Sequence, residues 1–142
     1  MKVESIILGE ERAQALARYP HAKRVGDLLF LSGVSSRRPD NSHQGATVHA
    51  DGTVTKDIAA QTEGVIENMR SILESAGLEL KDLVDVTTFL MDMADFPGYN
   101  AVYNLHFEKA TGPARTTVAV AALPHPNLLI EMKGIAVFPS AS

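Results

Sequence analysis

Arg115 stands at the mouth of one apolar run, Gly112-Pro113-Ala114-Arg115-Thr116-Thr117-Val118-Ala119-Val120. Glu131 sits inside the next, Leu129-Ile130-Glu131-Met132-Lys133-Gly134-Ile135-Ala136-Val137. A guanidinium is a planar fork that stays charged at any working pH and binds a carboxylate through two parallel hydrogen bonds. A carboxylate buried in an apolar strand without a partner costs on the order of several kcal/mol. Glu131 is therefore paired, turned outward with Lys133 on the solvated face of an edge strand, or kept because a reaction exchanges protons with it.

Other polar side chains are candidates to complete a site around such a pair. Tyr19 precedes Pro20, Ser32 precedes Gly33, and Asn100 falls early in a helical pattern. Taken singly, these are residues of packing, turn and cap. Arg37 and Arg38 are adjacent in a polar stretch, either as a solvated basic turn or as anion contacts. The histidines do not read as a metal site. His43 and His49 lie in a loop without the i, i+4 spacing of a helical ligand pair, and His106 has no second ligand one turn away. His125, between two prolines, reads as a rigid loop contact. A chain with no cysteine has no disulfide, no thiolate metal site and no thiol nucleophile.

The elements that must carry these residues follow from hydrophobic period and turn chemistry. Residues 3–8 predict a short strand, and 22–25 with 28–32 predict a hairpin around Gly26-Asp27 that Gly33 ends. Residues 35–57 turn polar, with Pro39, Asp40, Asn41, Gly45 and Asp51-Gly52, and predict a long loop with one short strand at its end. A loop of that length inside a compact domain is commonly functional. Asp57 then caps a helix whose apolar residues, Ile58, Val65, Ile66, Met69, Ile72, Leu73 and Ala76, recur at three- and four-residue steps until Gly77. A strand over 84–90 and a second helix from Asp95, with Pro97 in its first turn, lead towards Gly112 and the two apolar runs. The expected fold is α+β, with two helices on one face of a mixed sheet. Helices on one face only leave the other bare, so its apolar residues need cover from another subunit.

Composition bounds the function classes. The length of 142 residues fits one domain, 1–142, with 45% hydrophobic and 21% charged residues, as in an ordinary globular chain. No run approaches the ~18 apolar residues of a membrane span, and the N-terminus lacks the hydrophobic region of a signal peptide, so a cytoplasmic location is expected. A formal charge of −4, with Lys23-Arg24 and Arg37-Arg38 as its only local basic cluster, argues against nucleic acid as a partner.

Four separated segments together resemble the reactive intermediate deaminase (Rid, or YjgF-type) family. They are Tyr19 with Gly26, Leu31-Ser32-Gly33, Asp95-Phe96 with Tyr99-Asn100-Ala101-Val102-Tyr103, and the arginine and glutamate strands, in order over nearly all of 15–138. Arg18-Tyr19-Pro20-His21, Ser35-Ser36-Arg37-Arg38-Pro39-Asp40-Asn41 and Leu123-Pro124-His125-Pro126 look like the 2-aminomuconate deaminase branch of that family. The resemblance implies a chorismate-mutase-like fold, a homotrimer or a dimer of trimers, and active sites in clefts between subunits. It implies hydrolysis of an enamine or imine beside a carboxylate, with release of ammonia and no metal or redox cofactor. In the 2-aminomuconate branch the product is 4-oxalocrotonate, formed during catabolism of aromatic compounds.

Family positions assign Arg115 to the substrate carboxylate, Glu131 to water and proton handling, and Tyr19, Ser32 and Asn100 to the pocket. Thr117 occupies a substrate-binding position that is cysteine in the best-known branch, which leaves a water-driven hydrolysis intact and shifts the expected substrate range. 2-Aminomuconate carries a second carboxylate, for which Arg37, Arg38, His21, His125 and Lys133 are candidate contacts. The competing readings are a general 2-aminoacrylate-type deaminase and a non-catalytic trimer that binds small carboxylates.

Overall fold

The computed structural model describes residues 1–140. Its main sheet has the order β1 (Val3–Ile6), β2 (Ala22–Val25), β3 (Leu28–Leu31), β8 (Ile130–Val137), β6 (Leu83–Leu90), β7 (Ala114–Ala119); β4 (Ala46–Val48) and β5 (Val54–Lys56) form a separate ribbon. All neighbours in the main sheet are antiparallel except β6 and β7. That parallel pair is joined by a crossover containing α2 (Phe96–His106), while α1 (Ile58–Ser75) precedes β6. The α+β expectation, two helices with a mixed sheet, holds.

Period-2 alternation decides which side chains each face of the sheet receives. Val86, Thr88 and Leu90 of β6, and Ile130, Met132, Gly134 and Ala136 of β8, are buried. They share one core with Val65, Ile66, Met69 and Leu73 of α1 and Tyr99 and Val102 of α2. The intervening residues face the other way, and Val3, Phe30, Val118 and Val137 on that side remain exposed. The bare apolar face expected from the element order is present.

The helix α1 begins where Asp57 accepts hydrogen bonds from the backbone N–H groups of Ala59 and Ala60. It ends in a Schellman motif: Gly77, at φ +80°, donates to Glu74 O, and Leu78 donates to Leu73 O at 2.9 Å.

Three boundaries differ from expectation. The first strand stops at Ile6, because the Leu8 N–H donates to His21 Nδ1 rather than to a ladder partner. The loop over 35–57 contains two short strands, paired as a hairpin around Asp51-Gly52. The second helix ends at His106, where Phe107 turns extended and stacks on Tyr103 with ring centroids 4.4 Å apart. Aromatic packing thus overrides the helical pattern that continues towards Gly112.

Candidate active site

The register of the sheet places Arg115 and Glu131 on opposite faces. Arg115 lies beside Val86, on the helix side; Glu131 lies beside Phe89, three residues further along β6 and in the opposite phase. Two strand spacings and three residue rises put their Cα atoms about 14 Å apart. One small substrate cannot touch both within a single protomer.

Arg115 rests on an aromatic shelf. Its guanidinium carbon is 4.6 Å from the Tyr103 ring centroid, 4.9 Å from Tyr99 and 5.7 Å from Phe96, all side chains of α2. The faces of these rings attract the cation and hold its plane, while no carboxylate among the described residues pairs with it. Burial pushes the Tyr103 hydroxyl up to about 12, so this phenol stays neutral beside the guanidinium. Tyr99 is fully buried, and its hydroxyl and that of Thr88 are 2.6 Å apart. Asn100 joins Arg115, Tyr103 and Asn104 around one cleft. Thr117 lies two residues beyond Arg115 on the same face of β7, and its buried hydroxyl has no hydrogen-bond partner.

Glu131 lines a different cavity, of about 320 Å³, together with Tyr19, Ser32 and Arg37. Its carboxylate is half-buried, makes no ion pair among the described residues, and has its pKa raised above the ordinary 4.5 by desolvation. Neither Lys133 nor Arg115 neutralises it within the protomer. Gly33 leaves it room, since a Cβ there would come within 3.2 Å of Glu131 Oε2. The Ser32 hydroxyl donates to Pro20 O at 2.8 Å and keeps lone pairs for a further partner. Tyr19 is half exposed at the rim.

The remaining cationic candidates separate. Arg37 faces the cavity and donates to Asn41 Oδ1 at 2.7 Å and to Gln14 O, whereas Arg38 points to Ser42 in the exposed turn. His21 has both ring nitrogens engaged, Nδ1 with the Leu8 N–H and Nε2 with Ala13 O, and so fastens the segment over residues 8–21. Lys133 is exposed on the sheet face that carries Glu131. His125, which accepts from the Asn127 N–H, lines the cavity beside His43.

Two positioning residues escaped sequence reasoning. Gln61, fully buried in α1, donates to Asn127 O at 2.8 Å and Gly45 O at 3.3 Å and accepts from Leu129 N at 2.8 Å. It thereby ties the start of β8, and with it Glu131, to the helix. Asn68 donates to Ser35 O and Arg37 O at 2.8 and 3.0 Å, which fixes the loop bearing Arg37. The only sequence signal for either was an uncharged polar residue within an amphipathic helix.

With this geometry in place, the comparisons agree on one family. The family model described as Endoribonuclease L-PSP matches residues 9–138. A RutC family protein of Pyrococcus abyssi is 37% identical over 134 residues, covering 94% of this chain and 96% of its own. The 2-iminobutanoate/2-iminopropanoate deaminase of Escherichia coli is 35% identical over 133 residues, covering 92% and 95%. Among solved structures, the YEO7 protein of yeast superposes with a TM-score of 0.82 at 36% identity, covering 97% of this chain and all of that one. E. coli TdcF with bound serine gives 0.77 at 28% identity, over 96% and 100%. The chain belongs to the L-PSP family, which includes the YjgF, RutC and Rid proteins.

Proposed function

We propose that the protein is a deaminase that hydrolyses an enamine or imine beside a carboxylate and releases ammonia. The observation that carries this reading is the pair of uncompensated charges, an Arg115 guanidinium on an aromatic shelf and a half-buried Glu131 carboxylate on a cavity. The name of the E. coli deaminase and the serine bound in TdcF supply the substrate class, a short chain with nitrogen next to a carboxylate.

Because the two charges lie on opposite sheet faces, the working site is assembled between copies of the chain, Arg115 and Asn100 from one and Glu131, Ser32 and Tyr19 from its neighbour. The bare apolar sheet face provides the surface for a homotrimer. In that site Arg115 holds the substrate carboxylate, and Thr117, two residues along the same strand face, keeps a hydroxyl without a partner among the described residues that supports a donor role beside it. A proton delivered to carbon converts the enamine to the imine. Glu131 then orients a water that adds to the C=N carbon, and proton transfer to nitrogen lets the C–N bond break. Ketone and ammonia leave, and atoms and charge balance with one water consumed. Burial raises the pKa of the Glu131 carboxyl, so it holds a proton to higher pH than an ordinary glutamate and can pass it on in these steps.

The finer assignment is 2-aminomuconate, converted to 4-oxalocrotonate. Arg37 in the Glu131 cavity supports a remote carboxylate contact, and Arg38, turned to Ser42, is the weaker candidate. A general 2-aminoacrylate-type activity is the alternative, favoured by the E. coli relative's name. Ammonia release from 2-aminomuconate and from 2-aminoacrylate, each generated enzymatically in the assay, decides between them. Preference for the diacid supports the finer assignment, preference for the small imine supports the alternative, and inactivity on both contradicts the deaminase reading.

A further inference from the structure

Behind the Arg115 shelf lies a polar pair that lines neither the cleft nor the Glu131 cavity. Thr88 and Tyr99 are both 0% exposed within the apolar core, and their hydroxyls are 2.6 Å apart. Among the described residues this is the only side-chain hydrogen bond from α2 to the sheet; His106, at the far end of the helix, bonds to α1 instead. Tyr99 is also the middle ring of the shelf, with its centroid 6.3 Å from that of Phe96 and 5.7 Å from that of Tyr103. Holding this one ring therefore holds the surface on which the guanidinium lies, 4.9 Å from its centroid. Thr88 is a stiff point to fasten it to, because a β-branched side chain has few rotamers and β6 is flanked by β8 and β7. A buried hydroxyl pair adds little net stability over an apolar pair of the same shape, so its main consequence is geometric, the choice of one ring orientation.

We infer that Thr88 and Tyr99 are positioning residues for Arg115, fixing through one buried hydrogen bond the ring that orients the carboxylate-binding fork. This rests on the deaminase reading and deepens it on the Arg115 side of the site. A ring tied at its hydroxyl keeps its face under the cation, so the guanidinium is aimed before substrate arrives. The same bond occupies the Thr88 hydroxyl, which does not bond to Thr117, its register partner on β7. The Thr117 hydroxyl is thus left open to a ligand. Both effects concern how a carboxylate is held, which is common to ground state and transition state, so they bear on KM more than on kcat.

The test uses the full chain with Thr88→Val, Tyr99→Phe, the two combined, and Thr88→Ser, and takes 2-oxobutanoate as a probe with a carboxylate and no reactive nitrogen. Each single apolar change leaves one hydroxyl buried without a partner and should lower the melting temperature, whereas the combined change removes both hydroxyls and should recover most of it. Affinity should not recover with stability. In the combined variant the Kd for 2-oxobutanoate and the KM for a small imine should stay raised about 5-fold or more, with kcat within about 2-fold of the wild type. Thr88→Ser, which keeps the hydroxyl, should restore most of the affinity. A combined variant with wild-type Kd and KM overturns the inference, since the pair then only fills the core. So does a wild type whose affinity for 2-oxobutanoate is unchanged by Arg115→Ala, because there is then no carboxylate contact for the pair to position. If the wild type binds the probe through Arg115 but releases no ammonia, the deaminase reading fails while the Kd values still decide the role of the pair.

Discussion

At the scale of single residues, the proposed chemistry rests on two charges, Arg115 and Glu131, that have no ion-pair partner among the described residues, and each makes a separable prediction. Arg115→Ala removes a bidentate carboxylate anchor, and kcat/KM for any carboxylate-bearing imine should fall by about 100-fold or more, ~3 kcal/mol, with Arg115→Lys recovering part of it. Glu131 titrates above the ordinary carboxylate value because burial disfavours its charge. Activity that needs the carboxylate should therefore fade as pH drops through this raised value, and the acid limb of the rate profile should lie above 4.5. Stability runs the other way. The folded state holds the proton to higher pH than the unfolded chain, so stability falls as pH rises from 4.5 through the raised value. Glu131→Gln at pH near 8 should accordingly melt no lower than the wild type while turnover is lost. A marked drop in its melting temperature would instead make Glu131 a structural ion-pair partner. Both residues were legible in the sequence because charge inside an apolar run is conspicuous. The placement of Arg115 on Tyr99 and Tyr103 was not, since rings sixteen and twelve positions away reach it only through the crossover between β6 and β7.

At the scale of elements, the site depends on how loops are fastened to α1. Gln61 bonds both the Gly45 turn and the start of β8, so Gln61→Leu leaves the Leu129 N–H and two carbonyls without their partner. It should destabilise the fold by about 2 kcal/mol in urea denaturation, towards the upper range for a buried unsatisfied group. Gly45 is equally constrained: at φ +82° a Cβ would stand 2.5 Å from Gln61 N, so the turn admits no side chain without moving the helix. The strands and helices themselves were readable from period and caps. Asp57 and Gly77 bound α1 as expected, since capping is local chemistry. The end of the second helix at His106 and the hairpin within the polar loop were not readable, because Phe107 stacking on Tyr103 and the Gln61 bonds are tertiary contacts that override local pattern.

At the scale of the whole molecule, the sheet has one face packed under helices and one bare. Val118 and Phe30 stand exposed on the bare face, each at 39%. On the proposed homotrimer, Val118→Glu should reduce the mass seen in light scattering from about three copies to the 15.3 kDa single chain, and turnover should disappear with it; a wild type that is already a single chain contradicts the proposal. The bare face could be anticipated from element order; that Arg115 and Glu131 fall on opposite faces could not, since it depends on the pairing of β7 and β8 with β6. The most direct test of a site shared between copies is complementation. Arg115→Ala and Glu131→Gln proteins, each inactive alone, are unfolded, mixed in equal amounts and refolded, and ammonia release is measured. If each site takes its arginine from one copy and its glutamate from the next, random reassembly should restore roughly a quarter of wild-type activity. Mixed assemblies of normal mass that remain inactive would contradict the account.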